Sequence, residues 1–543
     1  MREQPSGADS SADGPLRPED LAPVGPVVRE PWLGADVLSY PRRPRSVVDV
    51  LDRAVRLWPD SVATVDSDGR TLAYAELAAR VEAATRALGA LGVGPGDGVG
   101  VLAASSSSFL AAVLACARIG AVAVGLNPKE APAAWAWTLG HGACVLALHD
   151  AAHAHLADAA AEAGIPASRV VPLAQLVEAP APWSYDAASE TVQEAATYAL
   201  VHTSGTTGRP KGSQVVHRCS VHSGMSYQRV LQLVPGERTA VLFPLHYISA
   251  MHAHVIPSML AGATCVFLDG ATPRSYLRLL REERIAWAYT VPSMWNLVLR
   301  ERDLVPGSLP DLRVAGTGGA PLTPDLRAAF RERLPGVRLL DIYGLSETHS
   351  PATMLLDHEQ EAHPGSVGRP LPCMEVAVRD DAGRDLPAGE VGEIWLRGSL
   401  VTTGYFRDPD ATAAAIVDGW FDTGDVGRLD DEGYLQVLDR SKDMINRGGT
   451  KVFSAQVEQL LRTHPDVVDA AVVAAPDRLH GEAVAAFVVP EPGAAVEARD
   501  LRRWVTERLA EHAAPTVVRF VEELPRGTTG KTDKKVLRAQ LGS

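Results

Sequence analysis

The chain has few of the features that mark secreted, membrane-spanning or nucleic-acid-binding proteins. Its five cysteines (Cys116, Cys144, Cys219, Cys265 and Cys373) are scattered, odd in number and never spaced C-x-x-C. That is neither a disulfide framework nor a zinc-ligand set, and it fits a reducing cytosol. The N-terminus, MREQPSGADSSADGPLRPEDL, carries no apolar stretch, so no secretory leader is expected. The apolar run Val241–Leu268 is broken by His246, His252, His254 and Pro257, too often to span a bilayer. Positive charge is also short: 52 Lys and Arg stand against 66 Asp and Glu, a net −14. Nucleic acid and anionic membrane are therefore disfavoured as main partners, since both need neutralising cations. A local positive pocket for a phosphate ligand stays open. The expectation is a soluble, cytoplasmic protein.

What is present is core material for several structural units, with 46% hydrophobic residues over 543 positions. Residues 1–30 are Pro-, Ser- and Gly-rich and read as a mobile tail. Strand–helix alternation then begins. Leu72–Val93 has helical spacing and stops at Gly94; the next segment reads as a strand, a helix over Ser107–Ile119, and a strand ending before Pro128. Further short apolar strands at Ala199–His202, Thr264–Leu268, Ala286–Val291, Arg313–Ala315 and Arg338–Asp341 continue the pattern. Such alternation predicts an α/β fold of parallel sheets with helices on both faces. After Leu371, shorter alternating strands predict an antiparallel, barrel-like unit. The last hundred or so residues predict a small α+β domain joined near Asp439–Asp443. The division expected is 31–439 and 440–543.

The strongest local signal is the run from Thr203 to Gly212, TSGTTGRPKG, directly after an apolar strand. Gly, Ser and Thr at this density give a loop whose backbone N–H groups and hydroxyls can cradle an anion. It is not a kinase-type P-loop, because Pro210 stands where G-x-x-x-x-G-K-[ST] needs Gly, and Gly212 follows Lys211.

This run resembles the phosphate loop of the adenylate-forming superfamily of acyl-CoA synthetases, aryl-CoA ligases, adenylation domains and luciferases. The resemblance extends in order through VAGTGGAPL (Val314–Leu322), DIYGLSET (Asp341–Thr348), GWFDTGD (Gly419–Asp425), RSKDMI followed by Gly448-Gly449, and PRGTTGK (Pro525–Lys531). It implies a large N-terminal domain and a small, mobile C-terminal one. It also implies ATP, Mg²⁺ and coenzyme A, with a carboxylic acid activated to an acyl-adenylate and then passed to the thiol.

Residue roles follow from the resemblance. Thr203, Ser204, Gly205, Thr206, Thr207, Gly208 and Lys211 would hold the phosphates, with Thr206 counted among the catalytic groups. Gly319, Ala320, Asp341, Tyr343, Gly344 and Ser346 would surround the nucleotide. Tyr343 would stack on adenine, and Asp425 would accept from the ribose hydroxyls. Glu347 would help hold Mg²⁺, a hard cation suited to carboxylate and phosphate oxygens. Arg440 would bridge phosphate and hinge, and Lys531 would bring a cation to the forming α-phosphate bond. Lys442 takes the hinge position; Gly448, Gly449 and Lys451 would line the coenzyme A tunnel. Ser454 and Gln456 depart from the Pro and Glu usual in the family after the paired glycines, on the side of the thiol step.

The acid is less defined. The FPLHY segment (Phe243–Tyr247) has no Asp for a substrate ammonium, which disfavours α-amino acids. The acyl candidates His246, Tyr247, Val291, Gly318, Gly319 and Gly344 suggest an apolar acid, leaving fatty, aryl and polycyclic acids open. The H-x-H of His252 and His254 is a weak metal signal without an accompanying carboxylate or Cys cluster. The family architecture ends at about Gln540, so a diffusible thiol or a separate carrier protein is the expected acceptor. A stand-alone adenylating enzyme and a catalytically silent nucleotide binder are the other readings, and homodimerisation is left open.

Overall fold

A computed structural model describes residues 27–177, 192–203, 210–527 and 532–541. Helix Ser107–Ile119 illustrates how the local sequence sets the elements. Ser106 caps its N-terminus by accepting from the Phe109 N–H, and Gly120 ends it with a left-handed residue at φ 74°. The helix between is almost wholly buried, because it lies against a sheet and the helix Tyr74–Ala90.

Two sheets form the bulk of the N-terminal part. In the six-stranded sheet, Gly98–Leu102, Val122–Gly125, Cys144–His149, Val170–Pro172 and Thr197–Thr203 run parallel to their neighbours. Lys211–Val216 then pairs antiparallel with Thr197–Thr203 at one edge. The nine-stranded sheet has a parallel centre that includes Arg238–Val241, Thr264–Phe267, Trp287–Thr290, Val314–Gly318 and Arg338–Tyr343. Its edges turn antiparallel, with Thr71–Ala73 at one end and Thr353–Leu355 then Arg369–Pro370 at the other. Helices cover these sheets, as the βαβ pattern requires.

Beyond Leu371 the strands Met374–Arg379, Gly392–Gly398, Trp420–Leu429 and Leu435–Arg440 pair antiparallel in a five-stranded sheet with Ile416–Val417. A 3₁₀ turn at Ser441–Asp443 follows. The C-terminal residues then build a five-stranded sheet of their own, with helices Ser454–Arg462, Ala498–Arg508 and Lys534–Leu541. That sheet buries a separate apolar cluster including Ile445, Val457, Val472, Val488 and Val505.

The expected tail is shorter than read. Strand Val28–Trp32 pairs antiparallel with Ala35–Ser39, so residues 28–30 belong to the fold. No hydrophobic pattern announces it, because ions anchor it: Glu30 Oε2 lies 2.8 Å from Arg43 and 3.3 Å from Arg218, both guanidiniums nearly buried.

Candidate active site

Thr203, Gly318 and Tyr343 stand at the carboxyl ends of strands with parallel neighbours, where open α/β sheets bind ligands. Thr203 and Lys211 face each other as the paired ends of two antiparallel strands. The loop candidates Ser204, Gly205, Thr206, Thr207 and Gly208 lie outside the described residues, as does Lys531. Within this hairpin, His202 stands 3.1 Å from His141, whose ring stacks on Trp137.

Strand Arg338–Tyr343 delivers the next group. Asp341 is buried, and burial pushes its carboxyl up to about 7, with Arg327 only partly opposing the shift. A carboxyl raised in this way costs folding free energy as pH climbs from its ordinary value toward 7. Asp341→Asn is therefore expected to raise the thermal midpoint at pH 8 and to leave it nearly unchanged at pH 4. Equal shifts at both values in a melting series would count against this.

Gly344 packs so tightly that an added Cβ would sit 1.5 Å from the Ser350 carbonyl oxygen, and only Gly fits. Gly318, on the adjacent strand, is as confined: its Cβ would lie 2.4 Å from the Ile342 carbonyl and 2.7 Å from the Tyr289 hydroxyl. Gly319 and Ala320 follow it in the loop, and Val291 precedes helix Pro292–Leu299.

Two side-chain groups then converge. Tyr343 donates its hydroxyl to Asp425 Oδ2 at 2.7 Å, and Arg440 Nε lies 3.2 Å from Asp425 Oδ1. Ser346 opens the 3₁₀ turn that carries Glu347. Glu347 is buried, and Tyr405 donates to its Oε1 at 3.0 Å. Burial raises the Glu347 carboxyl, while that hydroxyl and the charges of Arg440 and Lys211 pull it back. Both cations therefore lie within electrostatic reach of the same carboxylate.

The acyl candidates His246 and Tyr247 follow strand Arg238–Val241. Their rings lie 4.3 Å apart, and Tyr247 Oη accepts from Asn127 Nδ2 at 3.3 Å. His246 is buried against Gly125 and lines a narrow, mainly apolar cavity with Val101, Phe109, Leu200 and Met251. His252 spends its ring nitrogens on Ile248 O and Ser220 Oγ. Among the described residues no group of three His, Cys, Asp or Glu could hold a metal.

Gly448 and Gly449 form the turn between Ile445–Arg447 and Thr450–Val452, with Lys451 in the second strand. The turn is held by the Gly448 N–H donating to His480 O at 2.9 Å. Lys442 sits in the 3₁₀ turn between the two parts of the chain.

Residues 51–406 match the AMP-binding enzyme family, and residues 456–531 match the AMP-binding enzyme C-terminal domain. The chain belongs to that family. It is 33% identical to a feruloyl-CoA synthase of Amycolatopsis sp. over 496 residues, spanning 90% of this chain and 98% of the relative. Among solved structures it resembles the Bacillus subtilis o-succinylbenzoate CoA synthetase bound to its acyl-adenylate, with a TM-score of 0.81 and 30% identity. That match covers 91% of this chain and 98% of the other. The amide bond synthetase McbA from Marinactinospora thermotolerans is equally similar, with a TM-score of 0.81, 30% identity and coverage of 91% and 99%.

For an AMP-binding enzyme the donor set near Glu347 is apt. Mg²⁺ keeps several waters and takes one or two carboxylates plus substrate phosphates rather than an all-protein cage. A single buried carboxylate in the electrostatic field of Arg440 and Lys211 suits a metal arriving with a triphosphate.

Sequence reasoning missed Tyr405. Its only signal was a Gly-Tyr pair in GYFRDP, 58 residues beyond the carboxylate it touches. The Arg440–Asp425 pair was missed too, although each partner had been singled out.

Proposed function

We propose that the chain activates a hydrophobic or aryl carboxylic acid with ATP. A carboxylate oxygen attacks the α-phosphorus and pyrophosphate leaves, giving an acyl-adenylate. The sulfur of coenzyme A then attacks the acyl carbon, and AMP leaves with acyl-CoA formed.

The convergence of Lys211, Glu347, Tyr343, Asp425 and Arg440 carries this reading. Both reactants are anionic, so positioning and charge neutralisation are the main work. Lys211 and the backbone of the 203–212 loop take the phosphates, Asp425 the ribose, and Glu347 the metal, which supplies charge neutralisation to the leaving pyrophosphate. Gly319, whose missing Cβ faces open space, leaves room beside the nucleotide for the acid, while Gly318 and Gly344 let the backbone beside it pack closely, and His246, Tyr247 and Val291 enclose the apolar part of the acid. In our reading Lys442 is the hinge about which the C-terminal domain, residues 440–543, turns. That rotation brings Gly448, Gly449 and Lys451 to the thiol. A cytoplasmic location fits these soluble substrates.

The likeness to an amide bond synthetase favours one second reading, in which an amine or a carrier-protein thiol takes the acyl group. Acid-dependent pyrophosphate release, measured over fatty, aryl and polycyclic acids with products identified by mass spectrometry, tests both. Acyl-CoA formed only when coenzyme A is present supports the first. Acyl-adenylate that accumulates with coenzyme A and is consumed by an amine or a carrier supports the second. Pyrophosphate release independent of any acid would overturn the activation itself. Size-exclusion chromatography with light scattering decides between monomer and homodimer.

A further inference from the structure

We infer that Tyr405 is a positioning residue for metal binding, locking the Glu347 carboxylate and Lys211 into one arrangement. The inference rests on the adenylating reading above. Segment 404–406 runs antiparallel beside strand Lys211–Val216. Gln214 donates its N–H to Gly404 O at 3.1 Å, Phe406 donates to Gly212 O at 2.8 Å, and Tyr405 stands opposite Ser213. Lys211, two residues back on that strand, is the diagonal neighbour of Tyr405 on the same face. Its Nζ lies 4.8 Å from the centre of the Tyr405 ring, within cation–π range.

The hydroxyl of the same side chain donates to Glu347 Oε1 at 3.0 Å. One ring therefore spans from the phosphate-loop hairpin to the carboxylate. The backbone is fixed as well: the Tyr405 N–H donates to Thr412 Oγ1 at 2.9 Å, and Thr412 Oγ1 in turn donates to Asp408 O. Glu347 is anchored on its main chain by the Thr402 N–H, which donates to its carbonyl at 2.7 Å. Thr402 and Tyr405 thus hold the backbone and the side chain of Glu347 from a single loop.

The physical consequence is selection of one carboxylate rotamer. Without the Tyr405 hydroxyl, the Glu347 side chain regains rotamer freedom that metal binding must then remove. Partners that orient a metal-binding carboxylate typically alter metal affinity by about 10–100-fold when removed. Tyr405→Phe keeps the ring and its contact with Lys211 and deletes only the donor.

The experiment compares wild type, Tyr405→Phe, Glu347→Gln and the double variant. Mn²⁺ binding in the presence of a non-hydrolysable ATP analogue is read by electron paramagnetic resonance, and the Mg²⁺ dependence of pyrophosphate release is read in parallel. Tyr405→Phe is expected to weaken Mn²⁺ binding and to raise half-saturating Mg²⁺ by about tenfold or more. ATP affinity in EDTA should be unchanged. In the Glu347→Gln background the same substitution should add little, since it acts through that carboxylate. Metal titrations of Tyr405→Phe that superimpose on wild type, while Glu347→Gln shifts them, overturn the Tyr405 assignment alone. If Glu347→Gln shifts nothing, the metal role of Glu347 fails. Should Tyr405→Phe not fold, Tyr405→Met in both backgrounds carries the same comparison, and full additivity overturns the inference.

Discussion

Lys531→Ala is expected to leave ATP binding nearly intact and to slow acyl-adenylate formation by about 10²–10³-fold, the usual cost of losing one preorganised group at a developing charge. The carboxylate and the triphosphate repel each other as they meet. A cation brought to both at the moment of bonding lowers the barrier without contributing much to the resting complex. The flanks of its segment are anchored on strand Val467–Asp477 and on helix Ser454–Arg462 of the C-terminal part. Arg526 pairs with Asp469 at 2.9 Å and bridges Thr532, while Lys534 reaches Glu458 at 2.7 Å and Ser454 Oγ at 2.8 Å. Ser454 thus supplies a hydroxyl to this anchoring. Calorimetric ATP affinity and single-turnover pyrophosphate release separate binding from chemistry. A variant with near-normal release would remove Lys531 from the reaction.

The legible part of the fold was the part written in local periodicity and capping. Ser107–Ile119 has the observed helix bounds because Ser106 and Gly120 punctuate it. The parallel sheet centres followed from repeated strand–helix alternation, and the antiparallel unit after Leu371 from its two-residue period. The antiparallel edge strands and the hairpin Val28–Ser39 were not legible, because long-range pairing and buried ions hold them rather than a pattern of apolar residues. At the site, motif order singled out Asp341, Tyr343, Glu347 and Asp425 as candidates. Which side chains touch is a matter of tertiary register. Tyr343 and Asp425 stand 82 positions apart, yet share a hydrogen bond.

That shared hydrogen bond makes Asp425→Ala the other large effect. A carboxylate offers about four lone-pair sites. We propose that these also accept from both ribose hydroxyls, with Tyr343 on Oδ2 and Arg440 beside Oδ1. Each hydrogen bond to a charged acceptor contributes about 1.5–3 kcal/mol, so losing two costs about 3–6 kcal/mol. At about 1.4 kcal/mol per tenfold, kcat/KM for ATP should fall about 10²–10⁴-fold. The alanine also frees the Tyr343 hydroxyl and leaves Arg440, half exposed, without this carboxylate. Asp425→Asn separates the contributions, because its amide oxygen can still accept from Tyr343 while the charge is gone. The asparagine variant should fall between wild type and alanine, with the loss appearing mainly in KM for ATP and little change in KM for the acid. If the loss instead fell equally on ATP and acid, Asp425 would be supporting the whole pocket rather than the ribose. If 2′-deoxy-ATP discriminated against wild type and Asp425→Ala to the same degree, the hydroxyls would have another acceptor.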